Sequence, residues 1–478
     1  MTSTQVNPIF KGANFRELAF AAAVGIGIWM IPTPEGLDPL AWQLLAIFVF
    51  TIVGIVAKAL PMGAMAIVSM TLATITGTLS LREAIVGFSQ PIIWLIVAAF
   101  FIARSFIKTG LGMRIAYRFI EVLGRKSLGL SYGLVFTDLV LAPVIPSNTA
   151  RAGGIIFPII ESLAVSFGST PEKGTQRRIG SFLLKTSYQC NAVTSAMFLT
   201  GMAANPLMTD IAGDMGIEIT WGLWALAACV PGLISLLVIP YLSYKLYPPE
   251  IKETDHATAL AREKLAEMGP ISKHEWITMG IILLLIFMWT VGAFLKIIDS
   301  TTAALVGLSL MLISGVLTWE DIKSEKSAWD TLIWFSVLVV MATDLKELGF
   351  ISWFTEVMKV QVTGIEWGFA FPLIVIIYFY SHYLFAGNAA HISSMYAAFL
   401  SVGLAVGAPP LLMALALAYC SSLFACLTHY GTGSAPIFFG AGYVDLWSWW
   451  KLGGIISVVN IAIWIGVGSV WWKFLGIW

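Results

Sequence analysis

The sequence predicts an all-α polytopic membrane protein of about eleven transmembrane helices plus two re-entrant hairpins. Three observations predict it. Hydrophobic residues make up 58% of the 478-residue chain and charged residues only 11%, against roughly 25% charged in soluble domains. The apolar residues fall in long blocks, such as LLAIFVFTIVGIVA at 44–57 and IILLLIFMWTVGAFL at 281–295. A helix of about 20 mostly apolar residues crosses a bilayer. Two further regions, 127–167 and 367–407, are each too long for one crossing and carry polar, glycine-bearing motifs at their middles. Irregular backbone survives at membrane depth only where protein buries it or a cavity receives it, which is the situation of a hairpin that enters and leaves from one side.

Taken in order, the apolar blocks place crossings at 17–34, 40–57, 62–80, 91–107, 181–208, 221–247, 277–297, 302–318, 331–348, 410–438 and 452–474. The stretch from Leu18 has no small-residue cleavage site and further spans follow it, so it reads as a first transmembrane helix rather than a signal peptide. Charge tests the topology. With the N-terminus cytoplasmic and the C-terminus outside, the outer segments keep only Arg82, Lys296, Lys346, Lys359 and Lys473 of the 27 Lys and Arg residues, Arg151 lies within a hairpin, and the rest, from Lys11 onward, collect inside. That asymmetry agrees with the positive-inside rule, and counting either hairpin as a single crossing would destroy it.

The polar stretch PPEIKETDHATALAREKLAEMGPISKHEW at 248–276 divides the chain near its middle. It reads either as a short surface helix around Ala259, Leu260 and Leu265 or as a solvated linker. The basic, amphipathic 106–124 segment is expected along the inner interface. The resulting organisation is scaffold helices at 1–126, a first hairpin and broken helix at 127–247, the cytoplasmic linker at 248–276, scaffold helices at 277–366, and a second hairpin and broken helix at 367–478. Net charge is zero, so nothing suggests a nucleic-acid partner. Cys190, Cys229, Cys420 and Cys426 lie in apolar segments without metal-ligand spacing and read as small buried hydrophobes.

The two hairpin centres share a pattern. PSNTARAGG at 146–154 and AGNAAHISS at 386–394 each place a cation-capable side chain three residues after an asparagine. The same interval separates Asn148 from Asn388 and Arg151 from His391. The next apolar segments, CNAVTSAMFLTGMAANP at 190–206 and CLTHYGTGSAP at 426–436, both run from Leu-Thr through glycine to proline. Glycine and proline at those depths interrupt helices and free backbone groups, and half-helix N-termini attract anions. Corresponding broken segments in two halves, here in inverted orientation, point to a secondary transporter with a midplane site. Gly153, Gly154, Gly433 and Ala435 serve either that opening or close packing. An intramembrane arginine costs several kcal/mol unless it meets a cavity or a partner, which singles out Arg151 and, beside it, Asn148, Asn388 and His391. His382 and His429 read more readily as packed hydrogen bonders, and His256 and His274 as surface residues of the linker.

These stretches resemble the divalent anion:sodium symporter family. The resemblance rests on APVIPSNTARAGGIIFPII, FLTGMAANP, HYLFAGNAAHISSMYAAF and THYGTGSAPIFFGAGYV, extends over essentially the whole chain, and is closest to the exchanger branch of bacterial citrate/succinate and tartrate/succinate antiporters and plastid 2-oxoglutarate/malate translocators. It implies a homodimer in the lipid membrane, each protomer with a scaffold domain and an elevator-type transport domain. It implies that Ser147, Asn148 and Thr149 bind substrate carboxylates, with Thr200, Gly201, Thr428, Gly431 and Thr432 of the broken segments alongside. The second motif departs from the family: Gly387, Asn388 and Ala389 stand where Ser, Asn and Thr are usual, so both hydroxyls are missing, and carboxylate contacts there must be fewer or come from His391. Sodium-coupled members balance the substrate charge with bound sodium. Here Arg151 and His391 are expected to replace it, by direct substrate contact or by filling the ion positions.

The function expected is therefore sodium-independent exchange of C4 or C5 dicarboxylates, with tricarboxylates such as citrate also in view, and with no catalytic residue, bound metal or cofactor. A transport domain carrying uncompensated positive charge when empty would make exchange obligatory. Arg151→Ala is expected to abolish exchange with the fold intact. A sodium- or proton-coupled symporter is the near alternative. An intramembrane enzyme built on Ser421, Ser422 and His429 is the alternative from another class, and a passive anion channel a further one. With no plastid-type transit segment ahead of the first helix, a bacterial inner membrane is the expected location.

Overall fold

The computed structural model describes residues 12–292, 295, 297–362, 364, 366–385 and 387–478, without the side chains of 359, 361 and 362. The inner charge assigned to Lys11, the outer charges assigned to Lys296 and Lys359, the end of the 277–297 crossing and Ala386 of the second motif lie outside the described residues. Among the described residues regular structure is helical throughout, apart from one isolated bridge between Lys126 and Glu253. Seven helices there are long and apolar enough to cross a membrane: Pro39–Val56, Pro91–Thr109, Trp221–Leu246, Lys273–Gly292, Lys326–Glu347, Trp367–Leu384 and Leu446–Phe474. Six match crossings expected from hydropathy and the seventh is the first arm of the second hairpin. The crossings expected at 17–34, 62–80 and 302–318 are the shorter helices Phe15–Met30, Met62–Ile75 and Ser300–Ile313. The helix Phe350–Val362 was not anticipated.

The chain gathers into two compact units. One comprises Met1–Ile93 and Trp329–Phe354. In it Phe15–Met30 packs on Pro39–Val56, and Pro39–Val56 on Met62–Ile75. A Cβ on Gly25 would lie 2.8 Å from Phe50 Cβ, so the first two helices cross at a separation that only a missing side chain allows.

The other unit comprises Trp94–Ala328 and Thr355–Trp478 and holds both polar motifs. The first hairpin runs down Ser127–Leu141, turns through Pro146 and Ser147, and returns from Asn148–Arg151 through a π turn at Ala152–Ile156 into Phe157–Ser166. The second runs down Trp367–Ser381, through a tight turn at His382–Leu384, and returns as Asn388–Ala405. Two broken helices follow the same plan. Gly180–Met197 stops, makes a short turn at Leu199–Gly201, and restarts as Asn205–Asp214. Pro410–Leu423 and the turn Phe424–Cys426 stop likewise, and the chain restarts as Ala435–Gly440. Pro206 and Pro436 occupy the first turns of the restarted helices, where a missing N–H costs nothing. Every residue of Gly180–Met197 is buried, so this helix runs through the middle of its unit.

The central linker contains the surface helix, Asp255–Met268, with Ala257, Ala261 and Leu265 buried. It packs on the amphipathic helix Leu111–Leu123. Each of these two segments is thus the other's apolar partner. Arg114 locks the pair: its Nε donates to Glu275 Oε1 at 2.5 Å and its Nη1 to the Gly269 carbonyl at 2.8 Å, in buried surroundings. His256 and His274 are exposed, as expected of linker residues. Cys190, Cys420 and Cys426 are buried, whereas Cys229 is half-buried.

Candidate functional site

Both motif asparagines begin helices, so each hairpin presents a helix N-terminus, with its positive dipole end, at its tip. The two tips are built differently. In the first, Ser147 Oγ caps the helix by accepting from Ala150 N at 3.1 Å, which leaves its own O–H free to donate. Asn148 is buried; its Oδ1 accepts from Thr149 N at 2.9 Å and its Nδ2 donates to Thr432 Oγ1 at 2.8 Å. In the second tip, no side chain caps the helix that starts at Asn388. Gly387, at φ 156 and ψ 153, holds a conformation essentially reserved for glycine. Asn388 Nδ2 donates to the Ser421 carbonyl at 2.8 Å. The serine and threonine missing from the second motif therefore leave open N–H groups in place of hydroxyls.

The broken segments close around these tips. A Cβ on Gly433 would lie 2.5 Å from Thr149 Oγ1, so glycine here admits the first hairpin tip, which decides between packing and backbone opening at this position. Gly201 and Gly431 are buried and offer their carbonyls. Thr428 Oγ1 is buried without a hydrogen-bond partner, as is Ser434 Oγ, so each has a donor in reserve. Thr200 differs: its hydroxyl donates to the Pro143 carbonyl and accepts from Trp221 Nε1 at 3.1 Å. Its proton is committed to holding the first hairpin.

Arg151 is fully buried and makes no use of its side chain at the tip surface. Nε donates to Asp138 Oδ1 at 2.9 Å, Nη1 to the carbonyls of Ile145 and Gly201 at 2.6 Å each, and Nη2 to Ser195 Oγ at 3.0 Å. Asp138 is held further by Asn191 Nδ2 at 3.0 Å and by the Thr194 hydroxyl. Two expectations change. The guanidinium charge has a carboxylate partner in the absence of substrate, so it is not the uncompensated charge expected of an empty transport domain. Arg151→Ala would strand Asp138 in a buried site, so an intact fold is not to be expected either. Asp138 itself was missed. Its signal was available, since an intramembrane arginine calls for a partner and Asp138 is an acid in the preceding helix of the same hairpin.

His391 takes the related position in the second half but spends both ring nitrogens within its own hairpin. Its Nδ1 meets His382 Nδ1 at 3.1 Å, its Nε2 meets Ser381 Oγ at 3.0 Å, and His382 Nε2 reaches the Gly431 carbonyl at 2.8 Å. Both histidines are buried. His382 was undervalued in sequence because a lone histidine on an apolar helix carries no partner with it. Ser421 and Ser422 hydrogen-bond to Tyr378 and Asn205, while His429 Nδ1 accepts from Trp450 Nε1. The three do not form a nucleophile–base pair.

The model of the sodium:sulfate symporter transmembrane region matches residues 12–478. The chain belongs to this family of divalent anion:sodium symporters. Among similar members are the putative malate transporter YflS of Bacillus subtilis, 57% identical over 96% of both chains, and the chloroplastic dicarboxylate transporter 1 of Spinacia oleracea, 50% identical over 99% of this chain and 84% of the relative. The inner membrane protein YbhI of Escherichia coli is 39% identical over 96% of this chain and 97% of the relative. A solved structure, that of the YdaH transporter of Alcanivorax borkumensis, covers 96% of both chains with a TM-score of 0.56 and 13% identity, a likeness of fold. This symporter-family member is accordingly a multi-pass membrane transporter and not an enzyme.

Proposed function

We propose that this chain exchanges dicarboxylate anions such as malate, succinate and 2-oxoglutarate across a bacterial inner membrane, by a sodium-independent elevator antiport in a homodimer. The two hairpins and the two broken helices act as the transport domain. The substrate class is supported by relatives named for malate and dicarboxylates at 57% and 50% identity. Sodium independence is carried by one observation: N–H donors of Arg151 and His382 already occupy the carbonyls of Ile145, Gly201 and Gly431. Those are the backbone oxygens beside the motif loops that a sodium ion would need. Of the two roles considered for Arg151, filling an ion position fits the geometry better than gripping substrate. With those carbonyls taken, the residues at these places do not suit a sodium ion.

A dicarboxylate brings two negative charges into a low-dielectric site, which is costly unless they are met by donors. Ser147 and Thr428 offer hydroxyl donors, and the uncapped helix N-terminus at Asn388 offers backbone N–H groups. Asn148 and Asn388 hold the tips against Thr432 and Ser421. Gly201 and Gly431 are packed closely, since a Cβ there would lie 2.8 Å from the Ser195 carbonyl and 2.9 Å from His382 Nε2. Without an anion the same donors are unpaired, and carrying them across an apolar gate costs about 1–3 kcal/mol each. That penalty, rather than a naked arginine, makes empty return slow and exchange obligatory. Proteoliposomes test this: labelled succinate should enter only vesicles preloaded with a dicarboxylate. Uptake into empty vesicles that requires an inward sodium gradient would make the chain a symporter instead.

A further inference from the structure

The ring nitrogens of His382 and His391 form a chain whose protons can be counted. The Gly431 carbonyl can only accept, so His382 Nε2 carries a proton and, in a neutral ring, His382 Nδ1 carries none. His391 Nδ1 then donates to it. One nitrogen remains, His391 Nε2, and it faces Ser381 Oγ at 3.0 Å. The serine hydroxyl has a single hydrogen and a second acceptor, the Tyr378 carbonyl at 2.8 Å. With Ser381 donating to His391 the dyad is neutral. With Ser381 donating to Tyr378, its oxygen accepts from a protonated Nε2, and every bond in the chain is kept. The site therefore has room for one additional proton and a hydroxyl rotor that accommodates either state.

In the empty site burial opposes a charged imidazole, and the stacked aromatic rings offset part of that cost. The His391 ring stacks between Phe385 and Phe424, each centroid 4.5 Å away, with Tyr378 at 4.7 Å, and His382 stacks on Phe424 at 3.7 Å. Aromatic faces attract a cation, more strongly when it is desolvated. The hydrogen bonds of the two rings include no carboxylate. Other ionisable groups on the packed helices include Tyr378, Cys420 and Cys426, together with Asp210 and Asp214 of Asn205–Asp214, which are half-buried. Arg151, by contrast, is paired with Asp138, so it cannot supply net charge for a dianion.

We infer that the His382–His391 dyad is a proton-binding site filled when a dicarboxylate binds, with the added proton on His391 Nε2. The inference rests on the transport reading and deepens it: one proton travels with each substrate in both directions. It is tested by isothermal titration calorimetry of purified protein with malate at pH 7.5, where malate is already a dianion, in two buffers of different ionisation enthalpy. The expected result is uptake of about one proton per malate in the wild type. In His391→Asn and His382→Gln the uptake should vanish and malate affinity fall about tenfold. Malate binding by the wild type without proton uptake overturns the proton site and leaves the transport reading standing. No malate binding by folded wild-type protein overturns both.

Discussion

The side-chain amide of Asn148 donates to Thr432 Oγ1 at 2.8 Å, joining two residues 284 positions apart in sequence. This bond ties the first hairpin tip to the loop of the second broken helix, so the two halves share one site. Removing either partner leaves the other buried and unsatisfied, at about 1–3 kcal/mol. Asn148→Ala should slow exchange at least about tenfold. Asn148→Ala and Thr432→Ala together should cost less than the sum of the two alone, by about 0.5–3 kcal/mol. Thermal unfolding in detergent and exchange rates in proteoliposomes measure both effects, and strict additivity would remove the bond from the account.

Arg151 and Asp138 should behave as a pair. Arg151→Ala strands a buried carboxylate and should destabilise the protein by about 3–5 kcal/mol. Adding Asp138→Asn should restore part of that loss, because the uncompensated charge disappears with it. Unfolding midpoints of the two variants decide the matter: a double variant less stable than the single one contradicts the pairing.

Much of this arrangement was legible in the sequence. The hairpins at 127–167 and 367–407 stood out because their polar centres interrupt apolar blocks too long for one helix, and both are helix–turn–helix elements with the motif at the tip. The breaks after Thr200 and Thr428 were marked by glycine and proline. What sequence could not supply was which polar groups consume one another. Thr200 looked available for substrate until its hydroxyl met Pro143, and Arg151 looked free until Asp138 and Ser195 closed on it. Such pairings join separate segments, and no local spacing encodes them. The packing of Asp255–Met268 on Leu111–Leu123 was hidden for the same reason, although each amphipathic pattern was visible alone.

Gly387 holds φ 156, where a side chain costs about 1–3 kcal/mol. Gly387→Ser, which restores the commoner motif residue, should therefore lower stability by that amount and should not create sodium-stimulated uptake. Ala389→Thr lies within the helix and should be tolerated. A stable, sodium-stimulated Gly387→Ser variant would contradict the assignment of open N–H groups to this tip.

Outside the spans, burial tends to raise the Asp321 carboxyl, but hydrogen bonds from Lys108 Nζ at 2.5 Å and from Thr318 outweigh it and hold the group at about 2, below its usual 3.8. A depressed folded value means that stability is fully present above the unfolded value and is lost as pH falls through about 2. Lys108 is partly exposed, so the contribution is small and weakens with salt. Asp321→Asn should lower the unfolding midpoint slightly at pH 7 and converge with the wild type near the acid end. A difference that grows on acidification would reverse the sign and refute it.

If built-in donors of this chain stand where sodium would, substrate moves only against substrate. Labelled succinate uptake into proteoliposomes, with internal dicarboxylate and external sodium varied independently, addresses it most directly. The expected uptake depends on internal dicarboxylate and is unchanged when choline replaces sodium. Uptake into vesicles without internal dicarboxylate, driven by an inward sodium gradient, would contradict it.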